Sequence, residues 1–470
     1  MVRGMLDNRR LISRRPIVND TISSDQLRTP DFFKLYESST ITTTDEGTKA
    51  GKIIRGYVEE TLKEARREYR FRDETERKLR RLQERLKYDF LHTHMPFVRA
   101  MAFFSNEFYK IVKQWNPKPF EKMRVHETQL GLQKVSRRLL ELEGLIEDEG
   151  VASAISEILL QIMLASKFDP SHMTEMDDAT VIETDQRREA IQIMQQGQRI
   201  DLVSDNFGME LIWSLVLSDL LLTSGILKRV AFHVKKEPFA FTDATRADFF
   251  STIMDFTEFE YQLDKYAFVG IFKNDIAKLD QFWQKLSRFG ELDKTTFKIT
   301  LNCEQSGADI VRGLDLDFPE VKDEVLDVVA RYDEINTKIM AMGRRLMAYV
   351  DDERIIVDDD PFWTTDGYLE QIPDDIIRRH FEKSDLILFL GAFNFRRLNR
   401  DRYWKAEKNP QFQDIIPYAL RHLNIFVPRL IKAETLVGVT RERAIQLDAE
   451  NPKWNESGGH GAFMLFEKER

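Results

Sequence analysis

Arg199-Ile200-Asp201-Leu202-Val203-Ser204, followed by Asp205-Asn206-Phe207-Gly208-Met209-Glu210-Leu211, is the stretch on which the fold depends. The apolar residues between Arg199 and Ser204 predict a short strand. The apolar run from Met209 to Leu222 predicts a buried helix. Two oxygen-bearing side chains and a glycine lie between the two. In open α/β sheets, ligands sit at the carboxyl ends of strands. The start of the following helix offers free N–H groups and the positive end of a dipole, which suits phosphate. Asp205 and Asn206 either cap that helix or give hard oxygen atoms to a divalent cation. The segment alone leaves both readings open.

The same grammar repeats downstream. A strand over Arg229 to Val234 leads through Pro238 to Thr242-Asp243-Ala244-Thr245, and a helix is predicted over Arg246 to Leu263. Consecutive parallel strands place their carboxyl ends at one edge. Asp205, Asn206 and Asp243 therefore converge in a carboxylate–amide cluster with room for water, a geometry for metal-assisted hydrolysis. Further strands are expected at Arg354 to Val357, Leu386 to Phe389 and around Ile425 to Val427. Strands alternating with helices predict an α/β fold, a three-layer α-β-α sandwich with a mostly parallel sheet.

An α-helical domain is expected to precede it. Residues 1–50 are polar, rich in Ser and Thr, and read as a flexible N-terminal extension. Residues 51–195 read as the α-helical domain and 196–470 as the α/β domain. Between Thr61 and Phe90, 18 of 30 residues are charged, with Leu79, Leu82, Leu86 and Phe90 forming an apolar stripe. This pattern reads as a solvated helix laced with ion pairs rather than a basic surface for nucleic acid or lipid. Helices are expected at Glu127 to Glu147 and Ala152 to Leu164. The acidic stretch Asp169 to Gln196 reads as a linker or surface excursion.

Composition narrows the chemistry. The chain has 470 residues, with 70 basic and 79 acidic side chains, a net charge of -9 and one cysteine, Cys303. An acidic balance argues against a general nucleic-acid partner. A single cysteine excludes an intramolecular disulfide framework and a multi-Cys zinc site, so a metal here takes mostly oxygen ligands. The basic start lacks the apolar core of a secretory signal. Ser214, Ser218 and Asp219 interrupt the longest apolar run, which therefore reads as a buried helix, not a membrane span. An intracellular, cytoplasmic setting follows as the expectation. His233 reads as a core or edge histidine, and Cys303 as an inert thiol. Asp351-Asp352 and Asp358-Asp359-Asp360 resemble acidic ion sites but read first as solvated loops, and Gly458 to Gly461 reads as a turn before a last strand.

Taken in order, the motifs resemble one family. Asp205-Asn206-x-Gly208-x-Glu210-Leu211, Thr242-Asp243-Ala244-Thr245 and Phe362-Trp363-Thr364-Thr365 look like the metal-dependent damage-control phosphatases. The group in question is the sugar-phosphate phosphatases, also called acidic-residue methyltransferase 1-like proteins. Asn394-Phe395-Arg396-Arg397-Leu398 with Asp401-Arg402 and Trp404 resembles that family's Asn-Tyr-Arg-Lys-Leu and Asp-Arg-x-Trp. Arg429-Leu430-Ile431-Lys432-Ala433-Glu434 resembles its Arg-Thr-x-Lys-Ala-Glu. The resemblance runs from Arg199 to Phe466. It implies hydrolysis of small phosphorylated metabolites such as fructose 1-phosphate, supported by manganese, nickel, cobalt or magnesium. Asp205, Asn206 and Asp243 would hold the metal and act in catalysis. These three, with Gly391, Asn394 and Lys432, would bind substrate, and Lys432 would neutralise its phosphate.

One loop departs from the pattern. The family reads Lys-Gly-Asp-Leu-Asn where this chain has Leu390-Gly391-Ala392-Phe393-Asn394. A cation and an acid are gone. Loss of one preorganised charge-stabilising group costs about 10² to 10³ in rate. Leu430 replaces a threonine, and Phe207 stands where the family has a small residue. Two expectations follow: an active phosphatase of altered specificity, or an inactive pseudophosphatase that works through a protein partner. Methyl transfer is disfavoured, because no Gly-rich nucleotide loop follows a strand.

Overall fold

A computed structural model describes residues 38–40, 58–59, 61–63, 65–66, 73–85, 97–113, 120–166 and 180–469, apart from 239–241, 261, 294–296, 302–305, 315–320, 366, 401, 405–409, 433–435, 453 and 457. Cys303, Asp401, Ala433 and Glu434 lie outside the described residues, as do most of residues 1–50.

The described strands in chain order are β1 (Ser38–Thr40), β2 (Val181–Asp185), β3 (Arg199–Val203), β4 (Arg229–His233), β5 (Gln262–Asp264), β6 (Gly290–Asp293), β7 (Lys298–Leu301), β8 (Ile355–Asp358), β9 (Leu386–Phe389), β10 (Arg402–Trp404), β11 (Ile425–Ile431) and β12 (His460–Phe466). Seven of them form one sheet in the order β2-β12-β11-β9-β3-β4-β8. Every neighbouring pair in it is parallel except β11 with β12. The short apolar strands are buried on both faces, as parallel strands require.

Alternation along the strands divides the core. Ile200, Leu202, Val230, Phe232, Leu386 and Leu388 pack into one cluster. Val203, Ile387, Phe389, Ile425 and Val427 pack into a second, with Trp363, Phe381 and Phe395. A one-residue slip would exchange these sets, so burial of both faces fixes the register. Each large apolar side chain so enclosed stabilises the fold by about 1.5–3 kcal/mol.

The helices before the sheet belong to the first cluster. Helix Glu121–Glu149 contributes Leu132, Val135 and Leu139, and helix Val151–Ala165 contributes Ile155, Ile158 and Ile162. They are separated by Gly150, at φ +90°. These helices thus share a core with the sheet.

The described part of the stretch expected as a linker over Asp169 to Gln196 belongs to the fold. Its residues 181–185 form β2, the edge strand beside β12. Helix Arg187–Gln196 buries Ala190, Ile191 and Met194 in the first cluster. Few apolar anchors in a polar segment gave little periodicity to read.

The helix expected over Arg246 to Leu263 stops at Thr257. Phe259 packs in the first cluster, whereas Leu263 lies in a separate one with Phe268 and Phe282. The chain has to turn between them, and β5 joins the small sheet β5-β7-β6. Leu79 and Leu82 are buried, as their stripe predicts; Leu86 and Phe90 lie outside the described residues. β1 pairs antiparallel with β10. Among the described residues, no helix is long and apolar enough to cross a membrane.

Candidate active site

The order of strands places the site. From β3 the chain moves outward to β4 and then β8, and returns to β9 on the other flank of β3. The reversal lies between β3 and β9, and a crevice forms outside the carboxyl ends of strands at such a point. Asp205 and Asn206 follow β3, Asp243 follows β4, and Gly391 to Asn394 follow β9.

The structure brings these five residues together. Asn206 and Asp243 face each other across an antiparallel bridge. The Asp205 carbonyl accepts from the Ala244 N–H at 2.9 Å, and the Phe207 N–H donates to the Thr242 carbonyl at 2.9 Å. From the far side, Asn394 Nδ2 donates to the carbonyls of Val203, Ser204 and Leu390 at 3.1, 3.3 and 2.9 Å. Asn394 therefore ties the exit of β3 to the exit of β9. Gly391 sits at φ +77°, and a Cβ there would meet Asp205 Oδ2 at 2.1 Å. Glycine alone satisfies both the left-handed backbone and the close approach. The Phe393 N–H, at the start of helix Gly391–Asn399, donates to Asp205 Oδ2 at 3.0 Å.

Neither aspartate is a helix cap. Helix Met209–Thr223 has Gly208 at its N-cap, with no side-chain cap bond. Helix Arg246–Thr257 is capped by Thr245, in a reciprocal box with Asp248. Capping leaves Asp205 and Asp243 unexplained.

A side chain missed in the sequence explains how they coexist. Lys235 Nζ donates to Asp205 Oδ1 at 2.8 Å and to Asp243 Oδ1 at 2.7 Å. Lys235 is 1% exposed, and both aspartates are buried. Burial disfavours its charge, but the two carboxylates outweigh burial and raise its pKa. The Phe393 ring lies 5.1 Å from the same ammonium. The available signal was position: Lys235 comes two residues after the last residue of β4, at the edge where Asp205 was expected.

Glu210 completes the floor. Its Oε1 accepts from the N–H groups of Asp205 and Asn206 at 2.9 and 3.0 Å. Burial, then the Asp205 charge, push its pKa up to about 8. Two carboxylates, Asp205 and Asp243, face one ammonium, Lys235, an arrangement that favours a further cation.

The donor set fits a hard divalent ion. It offers carboxylate oxygens from two strands and the amide of Asn206, whose Nδ2 is turned toward Glu210 Oε2 at 3.4 Å. Ser204 Oγ and Thr242 Oγ1, each one residue before an aspartate, are buried without a hydrogen-bond partner among the described residues. Buried polar atoms normally find partners, so these hydroxyls mark a place where a ligand or its water belongs.

β11 and helix Gly391–Asn399 carry buried cationic side chains, Arg429 and Arg396. Burial and the neighbouring Arg396 charge lower the Arg429 guanidinium to about 9. Arg429 also lies over the Phe395 ring at 3.8 Å. Lys432, just past β11, is buried, and its Nζ donates to the Ser166 carbonyl.

The departures from the family pattern have structural consequences. Leu390 and Leu430 are buried in the first cluster, and Ala392 is half-buried. The Phe207 ring is covered by the Arg124 guanidinium at 4.7 Å. Arg124 also donates to the Asp243 carbonyl at 2.8 Å and pairs with Asp248 at 2.6 Å. The Phe362 and Trp363 rings meet edge to face beside Arg397, which donates to the Gly367 and Phe362 carbonyls at 2.6 and 3.2 Å. This motif braces the loop after β8.

His233 is buried at the end of β4, as expected of a core histidine. Asp358 and Asp360, expected in a solvated loop, instead approach His380.

Comparison with known proteins gives the family. The family model for the damage-control phosphatase ARMT1-like domain matches residues 48–447. The chain belongs to that family. Damage-control phosphatase ARMT1 of Danio rerio is 24% identical over 279 residues, covering 58% of this chain and 44% of that protein. The Bos taurus protein of the same name is 26% identical over 270 residues, covering 57% and 43%. The Homo sapiens protein reaches 32% over 112 residues, or 22% and 23%. The chain thus spans less than half the length of the curated relatives it matches. A solved DUF89 family structure from Pyrococcus horikoshii overlaps 43% of this chain and 70% of its own, with a TM-score of 0.31 and 13% identity.

Proposed function

We propose that this chain is a metal-dependent phosphatase of small phosphorylated metabolites, with sugar phosphates such as fructose 1-phosphate as the substrate class. The observation that carries the reading is the buried Asp205–Asp243 pair at the strand-order reversal, held by Lys235 and released from any capping duty. Asp205, Asn206 and Asp243 would hold manganese, nickel, cobalt or magnesium, which supplies Lewis-acid polarisation of phosphoryl oxygens and a more acidic water. Gly391 leaves room for Asp205, and Asn394 fixes the crevice wall. Lys432, with the Arg396–Arg429 pair, supplies positive charge for the phosphate. Water forms the new P–O bond as the ester P–O bond breaks, and the departing sugar oxygen takes up the proton.

The test is hydrolysis of p-nitrophenyl phosphate and hexose phosphates by metal-stripped protein resupplied with cobalt or manganese. Asp205→Ala should lower turnover by at least about 10²-fold. Activity that survives the substitution would remove Asp205 from the site.

The second reading, a pseudophosphatase acting through a protein partner, is favoured by one observation: Leu390 and Ala392 bring no charge to the loop beside Asp205. Ala392→Asp is the accessible restoration, because Ala392 is half-buried. A gain in hydrolysis supports the degenerate loop as the limiting feature, and none in a folded protein points to the partner-binding role. The three-layer arrangement, the division at residues 50 and 195, the absence of nucleic-acid and membrane partners and a cytoplasmic setting belong to the same proposal.

A further inference from the structure

A second cluster lies beside β4 and β8 and shares no side chain with the Asp205 site. His233 closes β4 and is paired in register with Asp358, the last residue of β8. His380 ends helix Asp374–His380 and brings its ring to 5.3 Å from that of His233, centroid to centroid. One potential ligand atom from each of His233, Asp358 and His380 lies within 4.8 Å of the other two.

Proximity alone is weak evidence, since buried His–Asp groups often serve only the fold. His233 supplies a second, independent observation. Its Nε2 lies 2.8 Å from Asp201 Oδ1, and a carboxylate can only accept, so Nε2 carries the proton. In the neutral imidazole, Nδ1 then presents its lone pair. That atom is buried and has no hydrogen-bond partner among the described residues. The side chain is 1% exposed, so bulk solvent does not reach it. An imidazole whose outer N–H is fixed by a carboxylate, with its other nitrogen unengaged, is the usual arrangement of a metal-bound histidine. Asp201 is itself fixed: Arg199 donates to it twice, at 2.9 and 2.7 Å.

The other two residues are also braced. The Asp360 N–H donates to Asp358 Oδ1 at 3.0 Å, and Asp360 Oδ2 lies 3.5 Å from His380 Nε2. His380 Nδ1 is 2.7 Å from Asp358 Oδ2, so in the metal-free protein these two side chains pair with each other, and a bound cation would displace the proton between them. The Asp358 side chain is 29% exposed, so the cluster meets solvent on one side.

We propose that His233, Asp358 and His380 form a binding site for a late first-row divalent cation, zinc foremost. Two imidazole nitrogens and one carboxylate suit zinc, and they differ from the all-oxygen set at Asp205. The site joins the ends of two strands to helix Asp374–His380, so metal there would clamp that helix onto the sheet. The signal in sequence was slight: three residues spaced by 125 and 22 positions form no motif.

The test uses the full chain, stripped of metal and titrated with Zn²⁺ alone. Zinc should move the ring 15N resonances of two histidines in the wild-type protein, and equilibrium dialysis should show uptake at this site. His380→Gln and Asp358→Asn should each weaken that uptake by at least about tenfold while near-UV circular dichroism stays unchanged. Unperturbed histidine resonances at saturating zinc would overturn the site. So would two folded variants that bind zinc as tightly as the wild type, which would leave a purely structural network. The wild-type spectra decide the matter even if a variant does not fold. Loss of phosphatase activity in Asp205→Ala does not bear on this result, because the two sites share no ligand.

Discussion

At the scale of single residues, Lys235 changes the meaning of the aspartates around it. Two buried carboxylates within reach of one another repel, and each would shed its charge unless balanced. Lys235 offsets one of the two charges and bonds to both, so the cluster can persist without metal. Breaking a buried pair by removing one partner costs about 3–5 kcal/mol. Lys235→Met should therefore lower the thermal midpoint strongly in EDTA, and manganese should recover most of the loss. A midpoint indifferent to both substitution and metal would show that the carboxylates do not share a cation. Leu390 makes the opposite point. It stands where the family carries a lysine, yet its side chain is enclosed by the first apolar cluster. Leu390→Lys should destabilise the fold by at least about 2 kcal/mol in a urea melt, so a gain of activity is to be sought first through Ala392→Asp.

At the scale of elements, helix Arg246–Thr257 shows how its two ends differ. Its start is well made, with Thr245 and Asp248 in a reciprocal cap and Arg124 bonded to Asp248. Its last turn carries Asp255, where the helix dipole disfavours negative charge. Burial, then the Glu258 charge, push the Asp255 carboxyl up to about 6. A carboxyl raised in the folded state gives stability that is fully present below its ordinary value near 4 and is lost as pH rises through 6. At neutral pH the charged form is a burden of about 1 kcal/mol, after allowance for its partial exposure. Asp255→Asn should raise the thermal midpoint by a few degrees at pH 7.5 and leave it unchanged at pH 3.5. A gain of the same size at both values would exclude titration as the cause.

At the scale of the whole molecule, the helices before the sheet and the sheet itself share one apolar cluster. Ile155, Ile158, Ile212 and Phe232 belong to it together. Residues that lose their packing together unfold together. Calorimetry of the chain should show one main transition for these helices and the sheet. A separate transition for the helices before residue 195 would show that the shared cluster is thermodynamically divisible.

Much of this organisation was readable in the chain. Strands at Arg199, Arg229, Leu386 and Ile425 announced themselves because short apolar runs between polar turns have little else to form. Asp205, Asn206 and Asp243 were found because parallel strands end at one edge, so residues just past them must be neighbours. Residues 181–196 were misread as a linker because their buried anchors are few. Asp358 and Asp360 were misread because an acidic run looks the same in sequence whether it faces water or a histidine.

The sequence by itself determined the alternation of strands and helices and the chemistry of the oxygen donors, since both follow from local periodicity and residue type. Tertiary structure alone decided that Gly208 and Thr245, not the aspartates, occupy the helix N-caps. It also decided that Lys235 lies between two carboxylates and that His233 meets His380 and Asp358. The physical reason is the same in each case. These pairings depend on strand order and on which face a side chain buries, and only the closed sheet with both its apolar faces covered fixes them.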